Sequence, residues 1–292
     1  MSRSKLTALA GATAVLLALL AAGCGGSSNK SAATTATTSA GSGASITAPA
    51  SIASAGKLVF CSDITYPPEE SYKAGTTTPE GSDIDIGNYI ADKMGVKARF
   101  DNTGFDGIIA ALLAKKCDAV ISGMNDTPER RKQVAFVDYL KVGQSFMVKK
   151  GNPENITGID SLAGKSASVE TGTTNKDFLD AQSKRLKAAG KQPIKVVTFP
   201  KDNDAANALR TGKVDAYFGD APVVAYYIEQ TPNAFALGGT PVNPISIGIA
   251  INKSNTELQA AVKKAVDMMY SDGTMDTILT RWKLAGAVAK LQ

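Results

Sequence analysis

From about residue 57 the chain alternates short apolar runs with longer segments whose apolar residues recur every three or four positions. The runs at 57–62, 96–100, 119–122, 166–170, 195–199, 214–218 and 245–251 predict strands. Between them, Gly81-Ser82-Asp83 leads into an amphipathic helix with Ile84, Ile86, Ile90 and Met94 on its core face. Helical patterns also cover 106–115, 175–189, 202–211, 256–270 and 275–283. Strands alternating with helices predict an α/β fold with a largely parallel sheet.

The pattern runs through the chain twice. Segments 111–119 (A-L-L-A-K-K-C-D-A) and 208–216 (A-L-R-T-G-K-V-D-A) align without a gap at a spacing of 97 residues and share five of nine positions. Each is a helix feeding a strand. Two similar domains follow, with strand ends facing a shared crevice, the usual ligand position in open α/β sheets. A late strand at 245–251 returns the chain to the first domain and makes a hinge.

Residues 1–23 have the pattern of an export signal: Arg3 and Lys5, then a mostly apolar Ala/Leu run. Ala21-Ala22-Gly23-Cys24 resembles a bacterial lipobox, with Ala21 in place of the usual Leu. On this reading Cys24 is lipidated and anchors the chain to the outer face of the cell membrane; simple secretion is the alternative. Residues 24–56, almost all Ser, Thr, Ala and Gly, predict a flexible tether.

The most informative stretch is 116–131, K-C-D-A-V-I-S-G-M-N-D-T-P-E-R-R. It predicts a strand, a break at Gly123, and a helix capped by Asp126 or Thr127 with Pro128 at its first position. Arg130 then falls near the third helical position, where the dipole is positive and an acid is normal. A guanidinium beside free backbone N–H groups makes a carboxylate site. A solvated Arg-Arg-Lys run is the alternative.

Composition narrows the chemistry. The chain has no histidine, which excludes His triads, His metal sites and imidazole acid–base catalysis. A mild net charge of +5 and few aromatics give no support for nucleic-acid binding. No G-x-x-x-x-G-K-[ST] motif occurs, so any ATPase is a separate chain. Beyond Cys24, Cys61 lies two residues before Asp63 and Cys117 five before Ser122. On strands ending level they are offset by about 10 Å, beyond bridging distance, which predicts two buried free thiols.

Taken together, G-S-D-I-D-I-G-N-Y-I-A-D-K-M at 81–94, D-I-T-Y-P-P at 63–68, S-G-M-N-D-T-P-E-R at 122–130, T-G-T-T at 171–174, D-A-Y-F-G-D at 215–220 and G-I-A-I-N-K-S-N-T-E-L at 248–258 resemble, in order and spacing, the extracytoplasmic solute-binding proteins of polar amino-acid ABC transporters, family 3. The resemblance implies a two-lobed clamp of mostly parallel sheets that closes on one solute. Lobe 1 would be 57–144 plus 245–285, lobe 2 would be 145–244, and 286–292 a tail. It implies a monomeric binding protein, not an enzyme, with an amino-acid ligand, permease and ATPase partners, and no cofactor or metal. Secreted dehydratases of prephenate or arogenate, and ligand sensors of signalling systems, are rival readings on the same fold.

Residue by residue, the resemblance implies that Arg130 holds the ligand carboxylate, surrounded by Ser122, Gly123, Asn125 and Thr127. Thr173 and Thr174 would donate from lobe 2, Asp220 would accept the ammonium, and Tyr66 and Phe105 would sandwich the side chain. Asp63 would meet its polar tip. Ser82 and Glu69 depart from the family pattern, which has a bulky apolar residue and an aromatic there. Asp63, Glu69, Glu170 and Asp126 would then make the far end acidic and favour a basic ligand, because unpaired buried carboxylates are costly. Asp83 and Asp85 are expected to be structural, at a helix start, and Trp282 to pack.

Overall fold

The computed structural model describes residues 45–291. The predicted export signal, Cys24 and residues 24–44 of the predicted tether lie outside them. The rest of that tether is ordered: Ser45 and Ile46 donate backbone N–H groups to the Lys93 carbonyl, each at 2.9 Å, and α1 (Ala50–Ala55) follows. Ile46 and Ile52 are buried in the main core. Two buried isoleucines and the backbone bonds to Lys93 dock a segment whose average composition predicts disorder.

In chain order the elements are β1 (Lys57–Ser62), β2 (Ser71–Tyr72), β3 (Pro79–Glu80), α2 (Ser82–Lys93), β4 (Lys97–Asn102), a 3-10 turn at Phe105–Gly107, α3 (Ile108–Leu113), β5 (Ala119–Val120), α4 (Pro128–Gln133) and β6 (Val134–Lys149). After a 3-10 turn at Ile159–Leu162 come β7 (Ser166–Glu170), α5 (Thr174–Ala188), β8 (Lys195–Phe199), α6 (Asp202–Arg210), β9 (Ala216–Asp220), α7 (Ala221–Gln230), β10 (Phe235–Leu237), β11 (Val242–Asn252), α8 (Thr256–Ser271), α9 (Thr274–Arg281) and β12 (Val288–Lys290). The core face of α2 is as expected, with Ile84, Ile86, Ile90 and Met94 all buried.

The main sheet runs β4-β1-β5-β11-β6-β9-β7-β8, with β10 and β12 also on β6. Its two flanks are parallel: β1 pairs with β4 and β5, and β7 with β8 and β9. The middle is antiparallel, where β6 pairs with β11 and then with β9. The 16-residue β6 is the element that joins the halves, and the hydrophobic pattern did not predict it. It begins directly after α4, with no Gly or Pro to mark the boundary. Around Val142–Gln144 it passes from β11 to β9.

The echo between 111–119 and 208–216 is structural. Lys115 and Gly212 both take left-handed φ, 57° and 75°. The next residues donate back to Ala111 and Ala208. Asp118 then accepts the Val59 N–H at 2.8 Å, and Asp215 accepts the Ser166 N–H at 2.8 Å. The same turn therefore feeds the same parallel pairing twice.

The cysteine expectation is corrected here. Cys61 and Cys117 form a disulfide with Cα atoms 5.6 Å apart. The register is as assumed, since Cys61 lies beside Val120, three residues past Cys117. But β5 spans only two residues. Cys117 lies in the turn set by Lys115, with Asp118 N–H bonded to Val59, so it does not recede along a strand.

Candidate functional site

The C-terminal ends of β1, β5, β7 and β9 face one crevice, lined by Asp63, Tyr66, Phe105, Ser122, Gly123, Asn125, Glu170, Thr173, Asn175 and Asp220. The two walls nearly meet, and the enclosed space is about 10 Å³. Three contacts cross it: Thr174 Oγ1 donates to Asn125 Oδ1 at 2.5 Å, Arg130 Nη2 to the Gly172 carbonyl at 3.1 Å, and Asp220 N–H to the Tyr66 hydroxyl at 3.3 Å.

Thr127 caps α4 by accepting the Arg130 N–H, with Pro128 next, as the local sequence predicts. This fixes the backbone of Arg130. Its guanidinium also donates to the Asn125 carbonyl at 2.7 Å and lies over the Phe105 ring, 5.3 Å from the centroid. Thr127 itself stays at the cap and does not line the crevice.

On the opposite wall Thr173 caps the 15-residue α5, accepting the Lys176 N–H and donating to the Glu170 carbonyl. Thr174 Oγ1 also accepts from Gln144. Asp220 precedes α7 but does not cap it; its Oδ1 accepts from Asn175 at 3.2 Å. Burial pushes its carboxyl up to about 6.

The carboxyl groups differ sharply in their partners. Asp63 is buried but satisfied, accepting from the Thr65 hydroxyl at 2.7 Å and the Phe105 N–H at 2.8 Å. Glu170 is 3% exposed and its Oε1 has no partner. Burial, reinforced by Asp202 and Asp63, pushes it up to about 10. Glu69 is buried with an unpartnered Oε2, although it does not line the crevice. Asp126 departs from expectation: it pairs with Arg131, which also reaches Asp138, so its charge is spent away from the crevice.

Gly123 also differs. Its φ of +51° brings a would-be Cβ within 3.0 Å of the Tyr66 ring, so the residue must be small. Its N–H, however, donates inward to Asp83 Oδ2 at 2.7 Å. Asp83 is thus more than a helix-start acid. Asp85 accepts from the Trp282 indole N–H at 2.7 Å, so Trp282 both packs and bonds.

Asn175, Gln144 and Glu70 were missed in the sequence. Each is a polar residue buried to within 3% exposure beside the crevice. For Gln144 and Asn175 a polar side chain inside an apolar strand or in a helix's first turn was the available signal, and it does not separate a buried group from a solvated one; Glu70, in the loop between β1 and β2, carried no such signal.

The family model for bacterial extracellular solute-binding proteins, family 3, matches residues 58–285. The chain belongs to this family. A putative ABC transporter arginine-binding protein 2 from Escherichia coli K12 is 31% identical over 76% of the chain and 89% of its own length. An ancestral arginine-binding protein solved with arginine has a TM-score of 0.71 at 38% identity, covering 78% of the chain and 98% of its own. An ancestral amino acid-binding protein described as a precursor of cyclohexadienyl dehydratase has a TM-score of 0.72 at 31% identity, covering 80% and 97%. These neighbours share the two-lobed α/β architecture of this family member. No helix among its described residues is long and apolar enough to cross a membrane.

Proposed function

We propose that this family 3 protein captures one free L-amino acid, with a basic side chain favoured, and delivers it to an ABC permease whose ATPase is a separate chain. The observation that carries this reading is the set of ionisable groups at one crevice: Asp220 and Glu170, with its unpartnered Oε1, line one wall, and Arg130, just outside the lining, reaches across to the Gly172 carbonyl. Arg130 would exchange its carbonyl partners for the ligand carboxylate. Asp220 would accept the ammonium, Tyr66 and Phe105 would enclose the stem, and Glu170 with Asp63 would face a cationic tip. The arginine named for two of its neighbours fits that chemistry.

An enclosed space of about 10 Å³ admits no amino acid, so capture requires opening. The lobes would be 57–144 plus 245–285 and 145–244, hinged where β6 and β11 cross between the parallel flanks, and closure would bury the ligand. The protein would work as a monomer outside the cytoplasm, anchored through Cys24. A second reading, a dehydratase, is favoured by one observation: burial beside Asp202 and Asp63 pushes the Glu170 carboxyl in the crevice up to about 10, where it could serve as a proton donor.

The test is thermal unfolding of residues 45–292 against single amino acids, prephenate and arogenate. A ligand at 100 times its Kd adds about 2.7 kcal/mol, a rise of roughly 5–10 °C. Arginine, lysine or ornithine at the top, recovered unchanged, is the expected result. No shift from any amino acid would overturn the reading, and turnover of prephenate or arogenate would make the protein an enzyme.

A further inference from the structure

Behind the wall formed by Ser122, Gly123 and Asn125 lies a pair of fully buried acids, Glu70 and Asp83, both 0% exposed. Both Asp83 oxygens accept strong hydrogen bonds, Oδ2 from the Gly123 N–H and Oδ1 from the Tyr139 hydroxyl, each at 2.7 Å. Glu70 Oε1 accepts from the Ser122 hydroxyl at 2.6 Å, and Ser122 Oγ in turn accepts the Asp63 N–H at 2.9 Å. Glu70 Oε2 is buried and receives no donor. The carboxyl that acts most strongly on it is that of Asp83, whose Gly123 partner adjoins Ser122. The charged groups acting most strongly on Glu70 are Asp83 from α2, Glu69 from its own loop and Asp63 from the end of β1; Tyr139 from β6 lies among the same acids. None of these is cationic. Two adjacent anions here, both shielded from bulk solvent, would repel with no counter-charge among these groups. One proton on Glu70 Oε2 removes the repulsion and supplies the missing donor together.

We infer that Glu70 is a positioning residue that works as a neutral acid: Oε2 keeps its proton and donates it to Asp83, which holds Gly123 and Tyr139, while Oε1 holds Ser122. The unit ties the wall that carries Asn125 and the Arg130 backbone to the end of β1 that carries Asp63. Glu70 therefore adds no negative charge to the crevice, unlike Asp220 or an ionised Glu170, and shapes affinity only by where it holds the loop. Burial and the surrounding acids raise its pKa well above the ordinary carboxyl value. The folded state then holds a proton that the unfolded chain releases near 4.5, so this contribution to stability is present at low pH and is lost as pH rises toward the folded pKa.

The inference rests in part on the amino-acid-binding reading, so its test has a readout that needs no ligand. Three forms are compared: wild type, Glu70→Gln and Glu70→Leu. Glutamine reproduces both hydrogen bonds, one accepted and one donated; leucine makes neither. At neutral pH the wild-type minus Glu70→Gln infrared difference should contain the carbonyl band of a protonated carboxylic acid. Stability of Glu70→Gln should fall less with rising pH than that of wild type. Affinity for the amino acid that binds wild type should be lost about tenfold or more in Glu70→Leu, the effect of leaving buried polar groups unpaired, and be rescued by Glu70→Gln. A difference spectrum showing an ionised carboxylate, or a Glu70→Gln variant as defective as Glu70→Leu, overturns the proposal. If no amino acid stabilises wild type, the functional reading fails, and the infrared and pH comparisons still decide the state of Glu70.

Discussion

The two parallel flanks of the sheet are the same construction with different fillings. Their registers align Cys61–Val120 with Ser168–Tyr217, so Asp63 corresponds to Glu170, Cys117 to Val214 and Gly123 to Asp220. The turns carrying Lys115 and Gly212 and the locks made by Asp118 and Asp215 are shared. At the Cys61 position of the second flank stands Ser168, whose hydroxyl reaches the Ala205 carbonyl at 2.7 Å, and at the Cys117 position the buried Val214. The first flank is tied covalently where the second relies on a hydrogen bond and apolar contact. The scaffold is thus held by a few backbone turns that repeat, while the residues at the crevice differ, Asp63 against Glu170 and Gly123 against Asp220.

Breaking the disulfide should separate the flanks most. The bridge joins residues 56 positions apart, and closing a loop of that size stabilises by about 4 kcal/mol in the chain-entropy model. A Cys61→Ser, Cys117→Ala variant should lose about 2–4 kcal/mol in urea unfolding. Hydrogen exchange should quicken around β1 and β5 but not around β7 and β9. Equal loosening of both flanks would show that they do not unfold as separate units.

The corresponding acids Asp63 and Glu170 should respond oppositely to neutralisation. Asp63→Asn disrupts bonds to Thr65 and Phe105 and should destabilise at neutral pH by about 1–3 kcal/mol. Glu170 ionises near 4.5 when unfolded but holds its proton to about 10 when folded. Across that window the folded state binds the extra proton, so stability falls as pH rises, by as much as about 1.4 kcal/mol per pH unit for one such group. Glu170→Gln should flatten the decline measured from about pH 5 to about pH 9, and should also weaken binding of a cationic amino acid. A parallel pH profile for wild type and variant would refute the protonated state of Glu170.

The smallest difference lies in the shared turn. Lys115 carries a side chain at φ 57°, where Gly212 carries none at φ 75°. A non-glycine residue there costs about 1–2 kcal/mol. Lys115→Gly should therefore stabilise, or be neutral once the unfolded chain's added freedom is counted, while Gly212→Ala should destabilise by about 1 kcal/mol. Thermal midpoints of the two variants check this.

Local pattern alone located most of the scaffold and part of the site. Apolar runs and helical spacing marked β1, β7, β8 and the core face of α2, and Thr127-Pro128 marked the start of α4, because each depends on neighbours within a few residues. The repeated A-L-x-x-x-K-x-D-A marked the two flanks, since the same turn recurs wherever a helix must feed a parallel strand. What needed the tertiary structure was everything set by distant partners. Composition predicted a tether where Ile46 and Ile52 dock. Strand geometry separated two cysteines that a turn at Lys115 brings together. Most of all, the sequence shows Asp63, Glu69, Glu70, Asp83, Asp126, Glu170 and Asp220 only as acids. Packing decides that Asp126 meets Arg131, that Asp63 is satisfied, that Asp83 faces inward to Gly123, and that Glu170 Oε1 is left without a partner. A carboxyl group's charge depends on burial and on the donors around it, and those come from residues dozens of positions away.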